Sequence, residues 1–458
     1  MLRRLRGTTP VTLLLWDIQA EHLDESEFLL ELWTTGLDSP RFDLARLANG
    51  PERRLLARID GLRFGGEAVV ERLLLPALDD PRLDEFRAAA AGLAIFEFAG
   101  QSACERALAA LDTITPSARR GMVRALQLTH RDGLIAWLAY KIDKQPHSTI
   151  VARLQVFIAH RVDAGSHLIR WLAAEDLELR RAAAVLARHT AAPEVLARLE
   201  PLMSDEDDEL RWAAIESGLI RGVPRAWPSL CVEVYGRIDD RSNQARRRAA
   251  LAWLATLGDA GVHERLLDDL QASPSTARIW AAGFCGRPAA VDLALELLDH
   301  PTLGRLAGEV VTAIAGLSDA DPGCWRDRGL VVGEGEDEAL PTLERDDLDA
   351  DLVPSEDAAL RLPDPDEVRF WWAQRRERFD PKLRHLYGRP ASVAALAHAL
   401  EHATMRRRHT LALELAARTR GRAQLATRIL AHQQSAQAHA VFTELGELDL
   451  HGGLPLLA

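Results

Sequence analysis

Small and apolar residues recur along this chain with the period of a helix, and the helices themselves recur. In "DELRWAAIESGLI" the residues Leu210, Ala213, Ala214, Ser217 and Gly218 fall on one helical face. The same arrangement appears in "LELRRAAAVLARH" from Leu177, "EFRAAAAGL" from Glu85, "ARRRAALAWL" from Ala245 and "ARIWAAGFC" from Ala277. Weaker copies begin at Ser117, Ile150 and Leu303. Aligning Ala88, Gly121, Leu154, Ala182, Ala213, Ala249, Ala281 and Ala307 gives spacings near thirty residues, the period of stacked helical hairpins. Small residues at these positions let neighbouring helices approach closely. Acidic stretches such as "SDEDDE" supply an N-cap and place negative charge at the positive helix end. A second helix follows each copy. In "GVHERLLDDLQAS" the residues Val262, Leu266, Leu267 and Leu270 make an amphipathic stripe. One hairpin cannot cover its own apolar face, so the next copy must, and that is why the pattern repeats.

The expected fold is therefore all-α, an α-α superhelix. Residues 1–78 form an N-terminal helical cap and 79–320 the repeat array. Residues 321–366 form an acidic linker, partly disordered, and 367–458 a set of C-terminal helical repeats. The linker is set apart by charge: from Glu334 to Glu367 acids outnumber bases fourteen to two, and Pro341, Pro354, Pro363 and Pro365 interrupt it. Helices resume at "DEVRFWWAQRRERF" and continue to "RRRHTLALELAART", which echoes the repeat.

The recurring Asp, Leu-Arg and Ala-Ala signature resembles the HEAT-like repeat family over about half the chain. More narrowly, "EHLDESEFL", "DGLRFGGE", "LPDPDEVRFWW", "RFDPKLRHLYGRP" and "RRRHTLALELA" resemble a bacterial family of HEAT-like proteins, and these stretches span both ends. Members often lie in type VI secretion gene clusters. The resemblance implies an accessory or adaptor role and brings no reaction with it. His409 and Thr410 stand where the pattern would have Ala.

Composition supports this picture and removes others. The chain has 458 residues, is 47% hydrophobic and carries a net charge of -12. Much of its apolar content is Ala and Leu, which lose little side-chain freedom in a helix. The negative charge argues against a protein built to neutralise phosphates, so nucleic acid is not an expected partner. Cys104, Cys231, Cys285 and Cys324 form no CxxC pair and read as buried thiols in a reducing compartment. The opening "MLRRLRGTTPVTLLLW" has basic residues before an apolar run, but the run is short for a secretory signal and no small-residue cleavage site follows. No stretch reaches the ~20 apolar residues of a membrane span. The expected location is the cytoplasm.

Candidate chemistry is sparse. "HALEH", His398 to His402, has the H-x-x-E-H spacing of a zinc-binding helix, but both His lie opposite the apolar stripe of Val393, Leu396, Ala397 and Leu400. Asp347, Asp349 and Asp351 begin like a calcium loop, but Leu352 and Ala358 stand where Gly and Glu are needed. Gly333 and Gly335 open like a dinucleotide loop, but no third glycine follows, and Glu336, Asp337 and Glu338 would repel a phosphate. HEAT-like repeats also build an iron hydroxylase that uses several His-Glu pairs; here His263-Glu264 stands alone. No G-x-S-x-G elbow appears. No catalytic residue, metal ligand or cofactor is therefore assigned.

The arginine runs Arg246–Arg248 and Arg406–Arg408 raise the question of nucleic acid. Arg180, Arg211 and Arg247 fall at the repeat position that hydrogen-bonds neighbouring caps, so structural arginine is the expected role. Trp212 and Trp280 share one repeat position, facing away from the hairpin's packing stripe. Together with Trp371, Trp372 and Arg375 they are the candidate anchors for a protein partner. Lateral packing between repeats for Trp212 and Trp280, and docking of the C-terminal helices for Trp371 and Trp372, is the simpler and favoured account of them. The sequence thus points to a non-catalytic scaffold that holds a protein along the solenoid surface. The alternative is a HEAT-like ligand- or nucleic-acid-binding protein, or a lyase-type enzyme with its site on the concave face.

Overall fold

The computed structural model describes residues 14–80, 82–236, 244–321, 323–326 and 356–454. The aspartate triad at Asp347–Asp351, the glycines Gly333 and Gly335, and most of the acidic stretch lie outside them. The fold is an all-α helical repeat. It divides into two compact units, one of Met1–Thr35 with Leu47–Val162, the other of Gly36–Arg46 with Asp163–Ala458. The division falls inside the 79–320 stretch, and the C-terminal helices belong to the same unit as the repeats from Asp163 onward.

The chain opens with α1 (Trp16–Gly36) and α2 (Leu44–Leu47), of which α2 falls mostly in the second unit, and the first unit goes on with α3 (Arg53–Phe64), α4 (Gly66–Val69) and α5 (Leu75–Leu78). The fully buried Trp33 is fixed by its indole N–H, which donates to Glu52 at 2.9 Å. Then come α6 (Glu85–Phe98), α7 (Gln101–Ala110), α8 (Pro116–Leu128), α9 (Leu134–Ala139) and α10 (His147–Ala159). α6 packs on α8 and α8 on α10. These three helices carry the aligned positions Ala88, Gly121 and Leu154, all buried. The small residues act as expected. A side chain added at Gly121 would bring Cβ to 1.9 Å from the Glu85 carbonyl oxygen, so α6 and α8 touch backbone to side there.

The second unit continues the pattern with α11 (His167–Leu172), α12 (Leu177–Leu186), α13 (Pro193–Leu202), α14 (Asp208–Arg221), α15 (Ala226–Tyr235), α16 (Gln244–Leu257), α17 (Ala260–Ala272), α18 (Thr276–Cys285), α19 (Pro288–Glu296) and α20 (Gly304–Ala315). α12 packs on α14, α16 on α18 and α18 on α20. These even-numbered helices again carry the aligned alanines. Asp176, Asp207 and Ser275 cap α12, α14 and α18 through their side-chain oxygens, as the acidic and serine-bearing approaches predict.

After the array come α21 (Pro365–Ala373), α22 (Val393–His402), α23 (Met405–Arg418) and α24 (Ala431–Glu444), with a two-residue hairpin of β1 (His385–Leu386) and β2 (Arg389–Pro390) between α21 and α22. The hairpin seals helix ends. The backbone N–H groups of His385, Tyr387 and Gly388 donate to the carbonyls of Gly286, Ala313 and Ile314. Gly286 and Gly316 end α18 and α20 in the left-handed conformation (φ 70° and 79°), and the hairpin backbone lies close enough to leave no room for a side chain at either. α23 packs across α14 and α16. Arg406, Arg407, Arg408 and Glu414 of this helix are buried, and it also packs on α22 through Leu411, Ala412 and Leu415, so the helix that echoes the repeat in sequence has a polar as well as an apolar side in the core.

Candidate functional site

In the second unit three features that are far apart in sequence meet at Trp280: both arginine runs and the acidic stretch. α18 presents the Trp280 ring, 7% exposed, held edge-on by Phe284 with centroids 5.0 Å apart. Arg248 from α16 and Arg406 from α23 lie over the ring at 4.6 and 4.5 Å, and Arg407 at 5.1 Å. A guanidinium plane on an indole face gains from both stacking and the ring quadrupole.

The two outer arginines converge on one carboxylate. Arg248 donates twice to Asp357, at 2.8 and 3.1 Å, and Arg406 donates to it at 2.7 Å. The other Arg406 branch reaches Glu309 on α20 at 2.5 Å. Burial pushes the Asp357 carboxyl up, but the hydrogen bonds and charge of Arg248 and Arg406 outweigh it, and it stays below the ordinary carboxylate range. It is therefore an ionised aspartate, 5% exposed, gripped by two cations.

Asp357 lies in a short turn, Glu356–Ala359, in the last third of the acidic stretch. The turn is held by side chains from around it. Arg41 donates to the Ala359 carbonyl and Arg305 of α20 to the Leu360 carbonyl. Asp357 and Leu360 are buried, Ala359 is half-buried and Ala358 is exposed. Among the described residues, backbone pairing to the rest of the unit follows the turn, where Arg326 N–H donates to the Leu362 carbonyl and Asp364 N–H to that of Cys324.

The remaining arginines serve the fold. Arg407 donates to the Gly283 carbonyl at 2.7 Å, and Arg408 to Gln434 at 2.9 Å. The cap ladder between repeats is real, but Arg181 makes it rather than Arg180. Arg181 reaches Asp207 at 2.5 and 2.9 Å and Glu209 at 3.0 Å. Arg246 reaches Asp208 and Glu209 at 3.5 and 3.4 Å. Arg211 does not reach a neighbouring cap either: it donates at 2.7 Å to Glu233 on α15 and at 2.7 Å to the carbonyl of Asp205, in the loop leading into its own helix.

The predicted anchors divide accordingly. Trp280 is at the site, covered by the chain's own arginines rather than open to solvent. Trp212 is half-buried and stacks on Trp253 with centroids 4.3 Å apart, the lateral packing that was the simpler reading. Trp371 and Trp372 are buried. Trp372 donates to Asp292 of α19 at 2.7 Å and so docks α21 on the array; Arg375, half-buried, lies over the Trp371 ring at 4.4 Å. The fold does not bring these tryptophans together with Trp280.

The motifs set aside in the sequence have structural uses. His263 is buried, donates to the Ala255 carbonyl at 2.8 Å and accepts from Arg287 at 3.1 Å. His398 and His402 lie with their rings tilted against each other, centroids 4.3 Å apart, on the outer side of α22. Among the described residues no three His, Cys, Asp or Glu side chains gather closely enough to hold a metal ion, and no helix is long and apolar enough to cross a membrane.

Sequence reasoning missed Asp357, Arg248, Arg305, Arg41 and Leu360 as a group. The available signal was weak: an Asp and a Leu three apart within a stretch otherwise rich in acids, and an arginine directly before the aligned alanine in α16. No protein-family model matches the chain, and no curated protein matches it.

Proposed function

We propose that the chain is a non-catalytic scaffold or adaptor that binds a protein partner through its helical repeats, as an accessory to bacterial type VI secretion. The secretion link rests on the sequence resemblance alone. The binding role is supported by one observation above the rest: the α16–α18–α20 face, completed by α23, holds a short turn by side-chain contacts to one carboxylate and two backbone carbonyls. Arginines that meet a carboxylate in fixed geometry are a recurring means of recognising acidic peptide segments. The same contacts weigh against nucleic acid, because Arg248 and Arg406 are already committed to carboxylates. Affinity purification of the tagged chain from its host, read by mass spectrometry, tests the reading. A stoichiometric partner encoded with secretion components supports it. Recovery of general chaperones alone, from cells expressing such genes, removes it.

A further inference from the structure

We infer that the Trp280 site is a recognition site for an acidic Asp-x-x-Leu peptide, which the chain fills with its own Asp357–Leu360. This rests on the scaffold reading and names the chemistry of the partner. The site reads four consecutive residues, each differently. The first must be a carboxylate, because Arg248 and Arg406 both donate to it and the other acid beside them, Glu309, pairs with Arg406 and can offset only one of the two charges. The second faces solvent, as Ala358 does. The third and fourth offer carbonyls to Arg41 and Arg305, and the fourth buries an apolar side chain, as Leu360 does. Only the carboxylate and the leucine are side-chain requirements.

The manner of attachment marks the segment as a seated ligand. The internal hydrogen bond of the turn runs from Leu360 N–H to the Asp357 carbonyl at 3.1 Å. The contacts to Arg41, Arg248, Arg305 and Arg406 are made by side chains. Every one of them could be made equally by a peptide from another molecule. Backbone pairing resumes at Leu362, so the turn can leave while the Trp325–Pro363 pairing stays. A tethered segment competes at an effective concentration in the millimolar range, so it raises the apparent Kd of an equal free peptide about tenfold or more when its own affinity is ~100 μM.

The test uses the full chain and a fluorescein-labelled peptide of residues 355–364, SEDAALRLPD, read by anisotropy. The Asp357→Ala, Leu360→Ala double variant should bind it at least about tenfold more tightly than the wild-type chain. Adding Arg248→Ala should abolish that binding, as should changing Asp to Ala within the peptide. A cooperatively melting double variant that does not bind, or that binds regardless of Arg248, overturns the inference. Hydrogen exchange on the wild-type chain gives an answer even if the variant does not fold. Millimolar peptide should speed exchange of the Ala358–Leu360 amides; unchanged rates overturn the inference. A host partner that still co-purifies with the Arg248→Ala chain leaves the scaffold reading standing and removes this site from it.

Discussion

The carboxylate of Glu414 lies 2.6 Å from the Arg384 guanidinium, and each of these side chains is 1% exposed. Arg418 approaches the same carboxylate oxygen at 2.9 Å, making a buried Arg–Glu–Arg triad. Both arginines also donate to carbonyls: Arg384 to Phe284, Cys285 and Leu450, and Arg418 to Thr256, Asp449 and Gly452. The triad thus ties α16 and α18 to α23 and to the segment that follows α24. Burial alone would raise the Glu414 carboxyl, but the two cations hold it below the ordinary range.

Removing one member leaves two buried charges uncompensated. Glu414→Ala should cost about 3–5 kcal/mol, seen as a fall in the denaturant midpoint. Glu414→Gln keeps the shape and loses the charge, so it should recover less than half of that loss. Near-wild-type stability of Glu414→Ala would mean that water reaches the triad.

The cap ladder can be dissected at Asp207, which caps α14 and pairs with Arg181. The Arg181 hydrogen bond holds its carboxyl down, to about 2, despite some desolvation. Asp207→Ala loses the cap and the pair and should cost about 1–2 kcal/mol. Asp207→Asn keeps an oxygen for the Leu210 N–H and should cost less than half as much. Equal losses in thermal melts would show that the ion pair, not the cap, carries the stability.

His263 should make the protein acid-sensitive. Burial first, then the nearby positive charges, push its pKa down to about 3, against ~6.5 in the unfolded chain. Between those values the unfolded chain takes a proton that the folded chain refuses, so stability falls as pH drops below 6.5. At pH 5 this one group accounts for roughly 2 kcal/mol relative to pH 7. His263→Gln can still donate to Ala255 and accept from Arg287, and it does not titrate. The variant should therefore lose that much less between pH 7 and pH 5 in urea melts. An unchanged difference would place the acid sensitivity elsewhere.

Close approach of α6 and α8 depends on Gly121. Because an added Cβ would sit 1.9 Å from the Glu85 carbonyl, a backbone atom with no rotamer to yield, Gly121→Ala should cost about 3 kcal/mol. Gly446, where nothing lies within 4 Å of the added Cβ, serves as the control, and Gly446→Ala should be nearly neutral. Similar melts for both variants would show that the helices can separate at little cost.

What the chain determined by itself was the repeat. The alanines and glycines at Ala88, Gly121, Ala182, Ala213 and Ala281 were legible because close helix packing needs small residues at fixed spacing. Asp207 and Ser275 were legible because a cap satisfies the helix it begins. Both requirements act within a few residues. The choice of partner for each arginine is not local. Arg248 and Arg406 are 158 positions apart, and Asp357 lies between them in a stretch whose composition alone suggested a solvated linker. Any of the many arginines could have paired with any of the acids at little difference in energy in water. Only once α16, α18, α20 and α23 pack does burial around Trp280 make one carboxylate indispensable. Trp280 shows the same limit: its wheel position faced away from its own hairpin, and whether that meant solvent or the chain's own arginines depended on where α23 came to lie.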